Sequence, residues 1–141
     1  MSDPVLFLDL KEVKERHNVV QHVCAAEKHA DNPLLPLGDV GEWDSAQAGP
    51  WQSRTVLFDE EEQIFKAWYS GTDIDLKPGW STGYAISEDG ISWVKPKLGL
   101  LEYNGSTDNN LCLRGVGPVL KDADAADPKR RYKMIVKGPT A

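Results

Sequence analysis

Alternation of apolar and polar positions is clearest in the middle of the chain. Arg54–Asp59 (RTVLFD) is β-branched and apolar, and it is followed by an acidic turn, DEEE. Gln63–Ser70 (QIFKAWYS) alternates with aromatic residues, which is the pattern of a half-buried strand. The stretch TDIDLKPGW reads as a loop with Pro78–Gly79 at its tip. Ser81–Ser87 (STGYAIS) is a third predicted strand, Glu88–Asp89–Gly90 a tight turn, and Ile91–Val94 (ISWV) a fourth strand ended by Pro96. Four short strands joined by hairpin turns predict an antiparallel meander. The earlier stretch DLKEVKERHNVVQHVCAAEKHA places Val13, Val19, Val20 and Val23 at spacings that fit neither helix nor strand, so it reads as short strands or an irregular lead-in.

The pattern then recurs. Val56-Leu57-Phe58-Asp59 is matched by Val119-Leu120-Lys121-Asp122, 63 residues on. Phe65-Lys66 is matched by Tyr132-Lys133 and Gly71 by Gly138, 67 residues on, the longer turn ADAADPKRR accounting for the difference. Repeats of supersecondary size with four strands each predict an all-β protein built from antiparallel four-stranded β-propeller blades. The expected organisation is a lead-in over 1–50, a first complete blade over 51–98, and a linker with the first half of a second blade over 99–141. About one and a half blades do not close a propeller. Either the chain belongs to a longer protein, or it completes its sheets by self-association through open sheet edges.

Composition narrows the classes. In 141 residues, 16 Lys+Arg stand against 22 Asp+Glu, a net charge of −6. Nucleic acid and anionic membranes both demand clustered Lys and Arg, so neither is an expected partner. No apolar run reaches the ~18–20 residues of a membrane span. MSDPVLFLDL has no basic leader and no small-residue cleavage site, which gives a cytoplasmic location as the expectation. Cys24 and Cys112 are too few for a disulfide framework or a cysteine metal site, and His17, His22 and His29 lack carboxylates at ligand spacing. No metal or cofactor is expected. Gly-rich phosphate loops, a G-x-S-x-G turn and a reactive-cysteine context are all missing from the sequence, which speaks against nucleotide hydrolysis and acyl transfer.

Five Trp with 12 Gly and 9 Pro mean many turns with large flat side chains near them. A Trp beside a carboxylate suits a ligand with an apolar face and hydroxyls, because the indole stacks on the face while the carboxylate accepts the hydroxyls. Trp43-Asp44, in the loop GEWDSAQ, is one such pair; the other reading is a solvated loop with a buried Trp anchor. Arg54 at the head of its strand either forks onto hydroxyls or makes a structural ion pair. Trp80 is a further stacking candidate. Trp68 reads as core, and Asp73, Asp75 and Glu60–Glu62 read as turn or surface acids. In Ser87–Trp93, Asp89 is placed to accept turn amides, Gly90 to take positive φ and Trp93 to pack beneath, which makes the string a fold element.

W-x-S-x-T-V-L-F-D-E (Trp51–Glu60), F-K-A-W-Y-S (Phe65–Ser70) and G-Y-A-I-S-E-D-G-I-S-W-V-K-P (Gly83–Pro96) together resemble the five-bladed β-propeller glycoside hydrolases, the superfamily of invertases, arabinanases, levansucrases and mannoside phosphorylases. Arg131–Ile135 (RYKMI) and Lys28–Leu35 (KHADNPLL) resemble its bacterial family 32/43-like branch. The resemblance covers residues 28–137 and implies a carbohydrate substrate or ligand, with hydrolysis of glycosidic bonds as the activity and Trp43, Asp44, Arg54 and Trp80 as substrate-binding residues. It also implies that Lys28 or Asn32 reaches the pocket of the complete propeller. Glycoside cleavage needs two carboxylates, about 5–5.5 Å apart for retention or about 6.5–9.5 Å for inversion. In the resembling families one is an Asp at the start of the innermost strand of the first blade. Here Ser53 or Gln52 stands in that place, and Gly115–Leu120 of the second blade offers no carboxylate either. Catalytic residues are therefore not assigned. A non-catalytic carbohydrate-binding module and a structural, oligomerising unit are the alternative functions.

Overall fold

The computed structural model describes residues 13–20, 22–49, 55–75 and 79–136, in two units that divide the chain into Met1–Ala30 and Asp31–Ala141. In the first unit the described residues form neither strand nor helix, and Val19, Val20 and Val23 are exposed. Among the described residues no helix is long and apolar enough to cross a membrane.

The second unit is all-β and antiparallel. Its strands are β1 (Gln47–Gly49), β2 (Thr55–Asp59), β3 (Ile64–Thr72), β4 (Ser81–Ser87), β5 (Leu111–Arg114), β6 (Val119–Lys121) and β7 (Tyr132–Met134). β3 is the centre of the main sheet. One side of it pairs with β4, and the other pairs with β2 along its first half and with β1 along its last residues. β5 pairs with β4 through a bulge at Thr82/Gly83. β6 and β7 make a separate two-stranded sheet.

The expected strands β2, β3 and β4 fall within one or two residues of their predicted bounds, β3 running two residues further to Thr72, but the fourth does not form. Ile91–Val94 keeps only one bridge, Val94 to Ile86. The cause is the preceding turn. The Asp89 carboxylate accepts the N–H groups of Ile91 (2.8 Å) and Ser92 (2.6 Å), so these donors are taken from any ladder. Gly90 sits at φ 75°, and the Trp93 indole donates to its carbonyl at 3.1 Å. The position beside β4 goes instead to Leu111–Arg114, so the sheet takes strands as far apart in sequence as Gln47–Gly49 and Leu111–Arg114. Those amide contacts hold the Asp89 carboxyl well below the ordinary carboxylate range. Asp89→Ala is therefore expected to lower the melting temperature at pH 7, and this loss should shrink as the pH falls below about 4, where the free carboxyl protonates. Thermal scans of both proteins between pH 2 and 7 measure it.

The sequence repeat is a repeat of register. Val56↔Ala67, Leu57↔Lys66 and Phe58↔Phe65 across β2/β3 become Val119↔Met134, Leu120↔Lys133 and Lys121↔Tyr132 across β6/β7. An ion pair repeats too. Lys66 Nζ donates to Asp59 at 2.8 Å, and its counterpart Lys133 donates to Asp122. Gly138, the match to Gly71, lies outside the described residues.

The two hairpins pack together. The Val119 N–H donates to Thr55 Oγ1 at 2.8 Å, Lys121 Nζ to Asp59 Oδ1 at 2.8 Å, and the Tyr132 hydroxyl to Asp59 Oδ2. The rings of Trp68 and Tyr132 lie 5.1 Å apart, and Trp68 meets Tyr84 at 5.2 Å. Trp68 is thus buried on the face towards β6–β7. Tyr69, its neighbour on the opposite face, is buried as well, in a core of Trp43, Ala67, Ala85 and Leu111.

Trp43 shapes that core. Its indole lies flat on the sheet at two glycines: a Cβ on Gly83 would stand 2.4 Å from Trp43 Cζ2, and one on Gly71 2.9 Å from Cζ3. Gly83→Ala is expected to cost about 1–3 kcal/mol by overpacking, read from the denaturant midpoint. An unchanged midpoint would mean that the indole sits elsewhere.

Candidate functional site

Trp43 and Asp44 leave a tight loop. The Glu42 N–H donates to the Asp39 carbonyl at 2.9 Å, the Asp39 N–H returns a bond to the Glu42 carboxylate at 2.8 Å, and Gly41 takes φ 97° between them. The loop delivers both side chains into the protein, each only 1% exposed. With its side chain almost fully buried, Trp43 presents no open stacking surface to a sugar. Of the two readings open at this pair, the buried anchor is the observed one, and Asp44 is buried with it.

The pair organises a polar network under the loop. The Trp43 indole N–H donates to Asn110 Oδ1 at 2.8 Å. Asn110 Nδ2 donates to the Tyr69 hydroxyl at 2.6 Å and to the Tyr84 carbonyl at 2.8 Å. The Tyr69 hydroxyl donates to Asp44 Oδ2 at 2.8 Å, and Lys95 Nζ donates to the same oxygen at 2.7 Å and to the Pro36 carbonyl at 2.9 Å. Burial, reinforced by the Asp44 charge, pushes the Tyr69 pKa far up, so the phenol keeps its proton. A buried carboxylate without a partner would be too costly to keep charged; here an ammonium and a phenol satisfy it.

Above the network lies an open pocket of about 320 Å³, lined by Lys95, Lys97, Tyr103, Asn104, Asn110 and the edge of Trp43 among others. Tyr103 is half-buried, and its hydroxyl donates to Asp73, itself only 6% exposed. Burial and this carboxylate push the phenol up to about 12. Asp73, read as a turn or surface acid, is instead a buried acceptor directly after β3. Asp75 and Glu60–Glu62 are exposed as expected, although Glu62 reaches Lys66 at 2.6 Å and Glu61 reaches Arg131. On the pocket rim, Lys97 and Asp108 form an exposed ion pair at 2.7 Å.

The remaining candidates are not gathered here. Trp80 is half-buried at the start of β4, where its carbonyl accepts the Gly115 N–H at 3.1 Å, and it is not among the pocket-lining residues. Arg54 lies outside the described residues, as do Trp51, Gln52 and Ser53. Lys95, Tyr103 and Asn110 were not singled out from sequence. For Tyr103 and Asn110 the hint is the polar density of YNGSTDNN between two apolar stretches; nothing in the sequence marks Lys95.

Asp59, at the junction of the hairpins, has its carboxyl held far below the ordinary range by Lys121, Lys66 and Tyr132, but its acceptor capacity is consumed by them. Burial pushes the Cys112 thiol up to about 11, which keeps it protonated and unreactive. Among the described residues no group of three His, Cys, Asp or Glu side chains is placed to hold a metal ion. Comparison with protein-family models, with curated proteins and with solved structures yields no match to this chain.

Proposed function

We propose that the chain is part of a β-propeller of the glycoside hydrolase type, and that it recognises a carbohydrate in the pocket above the Trp43–Asp44 network. The observation that carries the propeller reading is the stacking of two hairpins with one register and one repeated Asp–Lys pair, since radial repetition of such units is how a propeller is built. For the ligand, the support is chemical. A neutral sugar is held by an aromatic face and by fixed polar groups. Tyr103 supplies the face, while Lys97, Asn104 and Ser106 supply donors and acceptors.

Binding, not bond cleavage, is the part these residues serve. Among the described carboxylates at this site, Asp44 is held by Tyr69 and Lys95, Asp73 by Tyr103, Glu42 by the Asp39 N–H and Asp108 by an exposed ion pair with Lys97, so each is engaged in a structural contact and none is assigned to the carboxylate pair that glycoside hydrolysis uses. The non-catalytic binding module is accordingly favoured over the hydrolase for the chain by itself.

Calorimetric titration with a panel of methyl glycosides and short oligosaccharides tests this. Binding is expected to weaken at least tenfold in Tyr103→Ala (about 1.4 kcal/mol per decade) and several-fold in the exposed variant Asn104→Ala, with no change in Tyr103→Phe, which keeps the ring. No bound sugar, or binding indifferent to Asn104 and Tyr103 in folded variants, would refute the assignment.

A further inference from the structure

The register repeat relates two sheet faces that carry exposed apolar side chains among the described residues. The face of β6–β7 that rests on the first hairpin carries Val119, Lys121 and Tyr132. Adding the repeat offsets shows that the same face of β2–β3 carries Val56, Phe58 and Phe65. Val56 is 60% exposed and Phe58 44%, although the rings of Phe58 and Phe65 already pair at 4.9 Å. At the other end of the stack, the outer face of β6–β7 carries Leu120, Lys133 and Ile135, the counterparts of Leu57, Lys66 and Trp68. Leu120 is 67% exposed and Ile135 85%.

Among the described residues the hairpin stack therefore presents two unlike faces that are the two halves of an interface it already contains once. From this we propose that a second copy of the chain docks head to tail, its Val56–Phe58–Phe65 face on the Leu120–Ile135 face of the first. The joint continues the internal hairpin stack. It also differs from it in one respect: Phe58 and Phe65 stand where Lys121 and the Tyr132 hydroxyl grip Asp59. Asp122, the counterpart of Asp59, is correspondingly served by Lys133 of its own hairpin. The joint between copies is therefore apolar where the internal one is ionic. Because the two faces are unlike, the contact is heterologous and propagates into rings or open chains of copies, not into a closed two-fold dimer. This differs from pairing through strand edges, since it uses side chains of the sheet faces. It rests on the repeat and is independent of the sugar pocket.

Sedimentation velocity on the full chain at increasing concentration tests it, using Val56→Lys and Leu120→Lys, two exposed positions on opposite faces. The wild type is expected to associate beyond a dimer. Each variant alone should have its association weakened at least tenfold, because each lacks one half of the joint. An equimolar mixture of the two should form a heterodimer and stop there, since only one intact pair of faces remains. A wild type that stays monomeric, variants that associate like wild type (the outcome for edge pairing), or a mixture that forms no heterodimer would each overturn the proposal. Circular dichroism of both variants confirms that the sheets are retained.

Discussion

Replacing Trp43 by Ala is expected to unfold much of the main sheet's packing, at a cost of about 3–5 kcal/mol. An indole buries roughly 150–250 Å², and here it spans Gly71, Gly83 and Tyr69, three positions on two strands. Removing it opens a cavity that backbone glycines cannot fill. It also strips Asn110 Oδ1 of its donor in a buried place, adding the penalty of an unpaired acceptor. Against a total stability of about 5–15 kcal/mol, such a loss takes a large share of the fold. Trp43→Phe separates the two contributions, because it keeps a ring and deletes the N–H. It should fall between wild type and Trp43→Ala in denaturant midpoint. A folded Trp43→Ala protein of native stability would return Trp43 to the role of a surface platform.

The second large effect is at the hairpin junction. Asp59→Ala is expected to cost about 3 kcal/mol, the lower end of the range for breaking a buried ion pair, because Glu62 remains within reach of Lys66. The Lys66 side chain is only 6% exposed and cannot simply turn to water. Lys121 and Tyr132, two of the groups that tie β6–β7 to the first sheet, lose their acceptor together. The pH dependence follows from the direction of the shift. The Asp59 carboxyl is held below its ordinary value in the folded protein, so its stabilisation is complete above about pH 4 and is lost as the pH falls through the folded-state value. Acid unfolding should accordingly be flatter in Asp59→Asn than in wild type below pH 4. Equal slopes would mean that the carboxylate is not engaged in solution.

Much of this architecture is legible in the residues. Strands β2, β3 and β4 carry period-two alternation with β-branched and aromatic residues, and their turns carry their own chemistry at Asp59–Gln63 and Ser87–Gly90. The repeat was visible as a few identities because Val, Lys and Asp hold the same places in both hairpins. Other features lie beyond local pattern. ISWV has the composition of a strand, yet the Asp89 carboxylate takes its first amides. LCLR, the strand that replaces it, is only four residues long and is bent by the bulge. A tryptophan in a glycine-rich loop faces in or out according to what receives it, and the receiving glycines are 28 and 40 residues further along the chain. The network partners Asn110 and Lys95 are more distant still, and only the folded sheet brings them to Asp44.

The most direct test of the account is an amide and side-chain NMR titration of the full chain with the tightest-binding glycoside of the panel. Recognition in the proposed pocket predicts shifts concentrated at residues 41–43, 95–97 and 103–110, with the Trp43 indole N–H among them and protected from exchange before sugar is added. Shifts centred on Trp80, or a Trp43 indole N–H that exchanges freely in the sugar-free protein, would contradict it.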